Sequence, residues 1–251
     1  MRERSRVADP LLAWDARQAA RAFGIAALLA AIAWLVTAVS DEGGLSFGVR
    51  TARTLPAAPV CAALATWIVH ARARARGELL ALETLGVGPR RSGAPAVAGG
   101  AALAVLFAVA IAVSPRLDVA VFFPAIPHAG EVRFVDGGFV DARRGARVEI
   151  DGALARLPRS DASGATGLPR GARPIAALAV AMSGIALALV AASRTRGAIA
   201  GVAALGTAAA MLVGFHAAAA SAVAAPAVVM PPGVLLAWAI VHYRRTGDRP
   251  A

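Results

Sequence analysis

The chain contains no lysine; all 26 of its basic side chains are arginines. In so alanine-rich a chain this reads as a compositional bias and not as chemistry, yet it has a chemical consequence. The phosphate-binding loop G-x-x-x-x-G-K-[ST] cannot be written without lysine, so any ATP hydrolysis falls to a partner chain. The one cysteine, Cys61, lies inside an apolar run. That excludes a disulfide framework and a cysteine metal site, and leaves a small packing residue. His70, His128, His216 and His242 never fall in H-x-x-x-H or H-E-x-x-H spacing, which argues against a metal site. Charged residues make up only 16% of the chain. Aspartate and glutamate are missing from the interior of every long apolar run, which argues against a proton- or ion-coupled transporter with an acid at mid-membrane. Ser183 and Ser221 lie in apolar runs with no charged partner in the same run and no G-x-S-x-G motif, so an intramembrane serine protease finds no support.

What the chain has is apolar length. It is 251 residues long and 58% apolar, and its charges are clustered between runs that carry almost none. About 20 apolar residues span a bilayer as a helix. The runs are rich in Ala, Leu, Val and Gly without strict alternation, so they read as helices and not as strands of a membrane barrel. Runs one to four cover residues 22–39, 54–70, 94–113 and 174–192. Residues 197–243 carry no formal charge, are too long for one span and fit two, with the turn between His216 and about Pro226. Pro231-Pro232 then falls inside or at the start of the last span. The expected fold is an α-helical polytopic membrane protein with six transmembrane helices, three on each side of a small β-rich extracytoplasmic insert. Its parts are 1–114 (an N-terminal interfacial helix and spans one to three), 115–173 (the insert) and 174–251 (spans four to six and a tail). The first run is too long and too deep in the chain for a cleaved signal peptide, and no A-x-A site with a soluble domain follows it. In residues 1–21, Asp9-Pro10 is a helix start signal, and Leu11, Leu12 and Trp14 offer an apolar side with Trp14 at head-group level. In the insert, residues 131–140 and 147–152 alternate and Gly137-Gly138 signals a hairpin, so three or four short strands are expected.

The formal charge of +11 invites a nucleic-acid reading, but the arginines sit at the ends of the apolar runs and not on a soluble basic face. They set an orientation instead. With the N-terminus inside, the inner segments hold fifteen arginines against six acids, and the outer ones eleven against nine, nine of those arginines being in the long insert. The positive-inside rule places both termini in the cytoplasm and, for a bacterium, the chain in the inner membrane. Arg50, Arg53, Arg116 and Arg173 then flank the outer ends of spans and are candidate contacts to lipid phosphates or plain interface anchors. Small residues such as Gly99-Gly100 and Gly197-x-x-x-Gly201 permit close helix approach, although such spacings also arise by chance in an alanine-rich chain.

The informative stretch is the inner loop between runs two and three, Arg76-Gly77-Glu78-Leu79-Leu80-Ala81-Leu82-Glu83-Thr84-Leu85-Gly86-Val87-Gly88-Pro89-Arg90-Arg91. Residues 77–86 predict a short helix with Leu79, Leu82 and Leu85 on one face, Gly86 at its C-terminal end, and Pro89 blocking continuation. Such a helix either lies on the membrane or docks in a groove of a partner, with the leucines giving affinity and the flanking charges giving register.

The stretch resembles the coupling segment of the LptF/LptG lipopolysaccharide-export permease family, roughly E-L-x-A-L-x-A-x-G-[IV] followed by a basic residue. Glu78-Leu79, Ala81-Leu82, Gly86-Val87, Arg90 and Arg91 match it, and Thr84 stands where the family has a small residue. That family also has three spans, an extracytoplasmic β domain and three more spans. Met230-Pro231-Pro232 leading to Trp238 is similar to its last span. The FtsX/MacB-type permeases carry a similar segment, but their large outer domain follows the first of four spans. The insert here has under 60 residues, too few for the family's full jelly roll. The resemblance implies a permease subunit of an ABC-type exporter that moves an amphipathic lipid or lipopolysaccharide-like cargo. It implies no cofactor on this chain, with ATP and Mg held by a cytoplasmic ABC ATPase dimer, a second permease copy or homologue, and periplasmic bridge proteins. It further implies that Glu78, Leu79, Leu82, Leu85, Gly86, Arg90 and Arg91 couple to the ATPase, with Glu78 meeting an arginine there. The alternative is a non-transporting scaffold or accessory subunit that binds an envelope partner through its insert. A membrane-embedded enzyme is a weaker option, because no catalytic cluster is present.

Overall fold

The computed structural model describes residues 3–40, 47–123, 132–135, 138–141, 146–149, 154–156, 168–193, 197–220 and 222–245. Eight α-helices are described: α1 (Glu3–Ser40), α2 (Phe47–Thr54), α3 (Ala58–Ala75), α4 (Glu78–Thr84), α5 (Pro89–Val113), α6 (Ala172–Ala192), α7 (Gly197–Ala219) and α8 (Met230–Arg245). Five helical stretches are long and apolar enough to cross a membrane: Pro10–Ser40, Phe47–Ala75, Pro89–Val113, Ala172–Ala192 and Ala225–Arg245. This is the build of a multi-pass α-helical membrane protein.

The distribution of side-chain size supports that reading. Positions with no exposure are mostly alanine, such as Ala22, Ala26, Ala62, Ala104, Ala176 and Ala188. The large apolar side chains Leu28, Ile32, Leu35, Val36, Leu212 and Val213 face outward. In water such an exterior would be an aggregation hazard. In lipid, whose tails are as apolar as leucine, helices associate by close packing of small residues, and large residues outside cost nothing.

The bundle centres on α3, α5 and α6, with α1 laid across α3 and α5, and α8 against α6. Three glycines set the closest approaches. A Cβ on Gly99 would stand 2.0 Å from the carbonyl oxygen of Ala19 in α1, and one on Gly100 would stand 2.2 Å from Thr66 Oγ1 in α3. A Cβ on Gly184 in α6 would stand 2.2 Å from the Ala104 Cβ in α5. The pair Gly99-Gly100 is therefore a packing device and not a chance spacing. Buried hydroxyls are satisfied locally, as a water-free interior requires. Thr66 donates to the Ala62 carbonyl at 2.8 Å, and Ser183 to the Ala179 carbonyl at 2.6 Å. Ser221 and the turn glycine Gly137 lie outside the described residues.

Two expectations need correction. The N-terminal segment is not a separate interfacial helix: α1 runs unbroken from Glu3 to Ser40, with Pro10 inside it and not at its start. Pro10 lies early enough to lose only one intrahelical bond near an end, which a helix tolerates better than a break in its middle. At about 57 Å, α1 is much longer than the roughly 30 Å hydrocarbon layer. The second span is also longer than expected: α2 passes through a 3-10 turn at Leu55–Ala57, which contains Pro56, into α3, whose second residue is Pro59.

Four short strands are described: β1 (Val132–Val135), β2 (Gly138–Asp141), β3 (Ala146–Glu149) and β4 (Leu154–Arg156), paired as an antiparallel meander in the order β1-β2-β3-β4. Val135 pairs with Gly138, so a two-residue connection joins the first hairpin.

Candidate functional site

The loop between α3 and α5 folds into α4, only seven residues long, and both of its ends are defined by glycine. Gly77 precedes it at φ 72° and Gly86 follows it at φ 79°, a region that a side chain disfavours. At the C-terminal end the Val87 N–H donates to the Leu82 carbonyl at 2.9 Å, and the Gly86 N–H donates to the Glu83 carbonyl at 3.0 Å. These two bonds are a Schellman closure, so the expected role of Gly86 is realised in backbone geometry.

The leucine stripe divides. Leu79 and Leu82 are each 8% exposed and pack against the chain's own helices, whereas Leu80 is 66% and Leu85 76% exposed. The free face of α4 is therefore formed by Leu80, Ala81, Thr84 and Leu85, with Gly86 beside them. The expected cleft face of Leu79, Leu82 and Leu85 is corrected on this point. A seven-residue helix is too short to be stable by itself and is held in part by burying two of its leucines, which leaves Leu85 alone of the three outside.

Glu78 is likewise occupied within the chain. Its Oε2 accepts bonds from Trp14 Nε1 at 3.2 Å and from Gln18 Nε2 at 2.9 Å, both in α1, while Arg76 Nη1 stands 3.8 Å from its Oε1. The carboxylate expected to meet an arginine of a partner thus also holds α4 to α1. Both donors, one of them the 3%-exposed Gln18, meet the same oxygen, so Oε1 keeps acceptor capacity for a further charge. Arg91 pairs with Asp15 of α1. Arg90 and Tyr243 form a reciprocal lock between the start of α5 and the end of α8: Arg90 Nε donates to the Tyr243 carbonyl at 3.1 Å, and the Tyr243 hydroxyl donates to the Arg90 carbonyl at 2.6 Å. Glu78 thus fastens α4 to α1, while Arg91 and Arg90 fasten the start of α5 to α1 and to α8. Tyr243→Phe removes one half of the lock. We expect a loss of about 1 kcal/mol, read as a small fall in unfolding temperature in detergent, with no change in helix content.

Two cavities flank α4. One, of about 270 Å³, is bounded by His70, Arg74, Leu80, Glu83, Arg90 and Tyr243. The other, of about 360 Å³, opens between α1 and α3 beside Glu78. Among the described residues no cluster of His, Cys, Asp and Glu has the make-up of a metal site.

Of the four arginines assigned to lipid head groups, Arg50, Arg53 and Arg116 sit at the end of the bundle away from α4, and Arg53 and Arg116 are exposed. The Arg50 guanidinium stands 5.5 Å from the ring centre of Trp34, a cation–π contact. Arg173 needs correction. Its Nη1 donates to the Ile111 carbonyl at 2.7 Å and to the Ser114 carbonyl, and its Nη2 donates to the Leu117 carbonyl at 3.1 Å. It closes the C-terminal end of α5, where a fork of N–H donors meets carbonyls that the helix leaves unpaired.

Sequence reading missed Trp14, Asp15 and Gln18 as anchors of α4 and α5, and Tyr243 as the partner of Arg90. A usable signal existed. Gln18 is the only glutamine in the chain and Tyr243 the only tyrosine, each set beside arginines in an otherwise apolar context. Comparison with family models, with curated proteins and with solved structures finds no match to this chain.

Proposed function

We propose that the chain is the membrane subunit of an ABC-type exporter similar to the LptF/LptG permeases, with six spans and both termini in the cytoplasm of a bacterial inner membrane. Its cargo would be an amphipathic lipid, handled with ATP and Mg on a separate cytoplasmic ATPase dimer, beside a second permease copy or homologue. The observation that carries the reading is the state of α4. It is rigidly held on one side by Leu79, Leu82 and Glu78, yet leaves Leu80 and Leu85 uncovered on the other. A helix that only lay on the membrane would set these leucines in lipid. One that transmits a partner's movement needs both a grip on the spans and a free apolar face.

Two further points support the topology. Ala192 at the end of α6 and Tyr243 at the end of α8 both approach Gly93, so the chain between them must leave that end and return. The 23 residues of α7, about 34 Å long, are sufficient for the outward crossing, and Phe215 near its far end packs on Phe122 and Phe123 beyond α5. The arginine balance supports the α4 end as the cytoplasmic one. The meander of residues 132–156 would then be a small extracytoplasmic domain, available to a periplasmic bridge protein.

The test is affinity purification of the tagged chain in mild detergent, with mass spectrometry of its partners. A cytoplasmic ATPase should accompany the wild type and be reduced at least about tenfold in Leu80→Asp/Leu85→Asp, which changes only exposed positions. Leu82→Asp is unsuitable because it buries a charge and would damage the fold. Recovery of no ATPase with the wild type would sink the exporter reading and favour the scaffold reading.

A further inference from the structure

The cavity between α1 and α3 has the layout of an amphiphile site. Around its mouth, beside Glu78, stand Arg21 of α1, Arg72 of α3 and Arg76 just past the end of α3. Farther along α1, away from α4, the wall becomes Gly24, Ile25 and Leu28. Polar and apolar linings are thus separated along the groove axis and not mixed.

The charges at the mouth do not cancel. Three arginines face one carboxylate, and that carboxylate is already engaged by Trp14, Gln18 and Arg76. Among the described residues, Arg21 and Arg72 have no acidic partner. Two guanidinium groups left together at the end of an apolar groove call for a dianionic or monoanionic phosphate group, which each can meet with parallel N–H donors. The groove wall is open at Gly24, where an added Cβ would meet no atom within 4 Å. Leu28 beyond it is 61% exposed, so the groove leads out to the lipid-facing surface of the bundle. A soluble anion would use the mouth and leave the apolar channel empty. A phospholipid would use both.

We propose that this groove binds an anionic phospholipid of the leaflet at the α4 end. Its phosphate lies between Arg21 and Arg72, and an acyl chain runs past Gly24 along Ile25 and Leu28. Basic pockets between helices at a membrane surface take such head groups. The inference needs only the membrane reading and holds whether or not the chain belongs to an exporter. The site is distinct from the arginines at the opposite end of the bundle. Because Glu78 forms one edge of the mouth, a lipid seated there would also touch the anchor of α4.

The experiment is native mass spectrometry of the full chain in a non-ionic detergent, titrated with dioleoylphosphatidylglycerol or dioleoylphosphatidylcholine. Wild type should bind one phosphatidylglycerol with an affinity at least about tenfold above that for phosphatidylcholine. Arg21→Gln/Arg72→Gln should remove that preference. Gly24→Leu keeps both arginines and fills the channel, and it should weaken phosphatidylglycerol binding by a similar factor. Glycerol 3-phosphate in excess should not displace the lipid. All three positions are exposed, and unchanged thermal unfolding of the variants verifies that they are folded. Equal binding of the two lipids, a preference that survives the double arginine variant, or full displacement by glycerol 3-phosphate overturns the proposal. The last result would identify a site for soluble phosphate.

Discussion

Gly99→Ala should destabilise the protein more than any other single methyl addition to α5. The new Cβ would lie 2.0 Å from the oxygen, 2.7 Å from the carbon and 2.8 Å from the Cα of Ala19, all of them backbone atoms of α1. No rotamer change relieves such a clash, so α1 has to move off α5. Overpacking a tight interior typically costs about 1–3 kcal/mol, and a backbone-on-backbone clash falls at or above the upper end. For a chain of this length that is a fall of roughly 6–12 °C in unfolding temperature. Gly24→Ala is the control. It lies in the same pair of helices, its Cβ meets nothing, and alanine is favoured over glycine inside a helix by about 1 kcal/mol, so the variant should be as stable as wild type or more so. If both variants unfold at the wild-type temperature, the close crossing of α1 and α5 at Ala19 and Gly99 is not present in the folded protein.

Arg173→Leu should cost nearly as much, about 2–4 kcal/mol, because it strips charged donors from three carbonyls in and just beyond the last turn of α5. Arg173→Lys should recover only part of this, since an ammonium group cannot span three acceptors with a planar fork. Arg116→Gln, at an exposed position in the same region, should fall within about 0.5 kcal/mol of wild type. Thermal unfolding in zwitterionic and in anionic lipid separates the two roles that have been assigned to Arg173. A helix-end cap predicts the same loss in both lipids. A head-group contact predicts a larger loss where anionic lipid is present. If Arg116→Gln costs as much as Arg173→Leu, the cap is not what holds this end together.

The apolar runs were legible because lipid imposes length and low charge on anything that crosses it, and both are properties of the chain alone. Four of the five helical stretches of membrane-spanning length overlap the first four runs, and the fifth contains Pro231-Pro232 and Trp238 as expected. The α4 helix and its Gly86 end were legible because helix formers, a left-handed glycine and a following proline are local signals. The direction of its leucines was not. Seven residues give two turns, and which face is buried depends on where α3 and α5 set the helix down, a tertiary matter on which a three- or four-residue spacing is silent. Arg173 failed for a related reason. An arginine at the outer end of a span looks the same in sequence whether it meets lipid phosphates or the open carbonyls of the preceding helix, and the choice was made by how close α6 starts to the end of α5.

The crossing at Ala19 and Gly99 also lets α1 join the two ends of the bundle. Trp14 and Gln18, which hold Glu78, lie on the α4 side of that crossing, and Trp14 is five residues, or about 8 Å, from it. On the other side the helix continues for 21 residues, about 32 Å, to Ser40, and Ala22 and Ala26 on that stretch are buried against α3 and α5. Toward its far end Trp34 grips α2 through Thr51 Oγ1 at 3.3 Å and through the ring of Phe47 at 5.7 Å. One continuous helix is thereby a strut that ties the seven-residue α4 to α2 at the opposite end of the bundle.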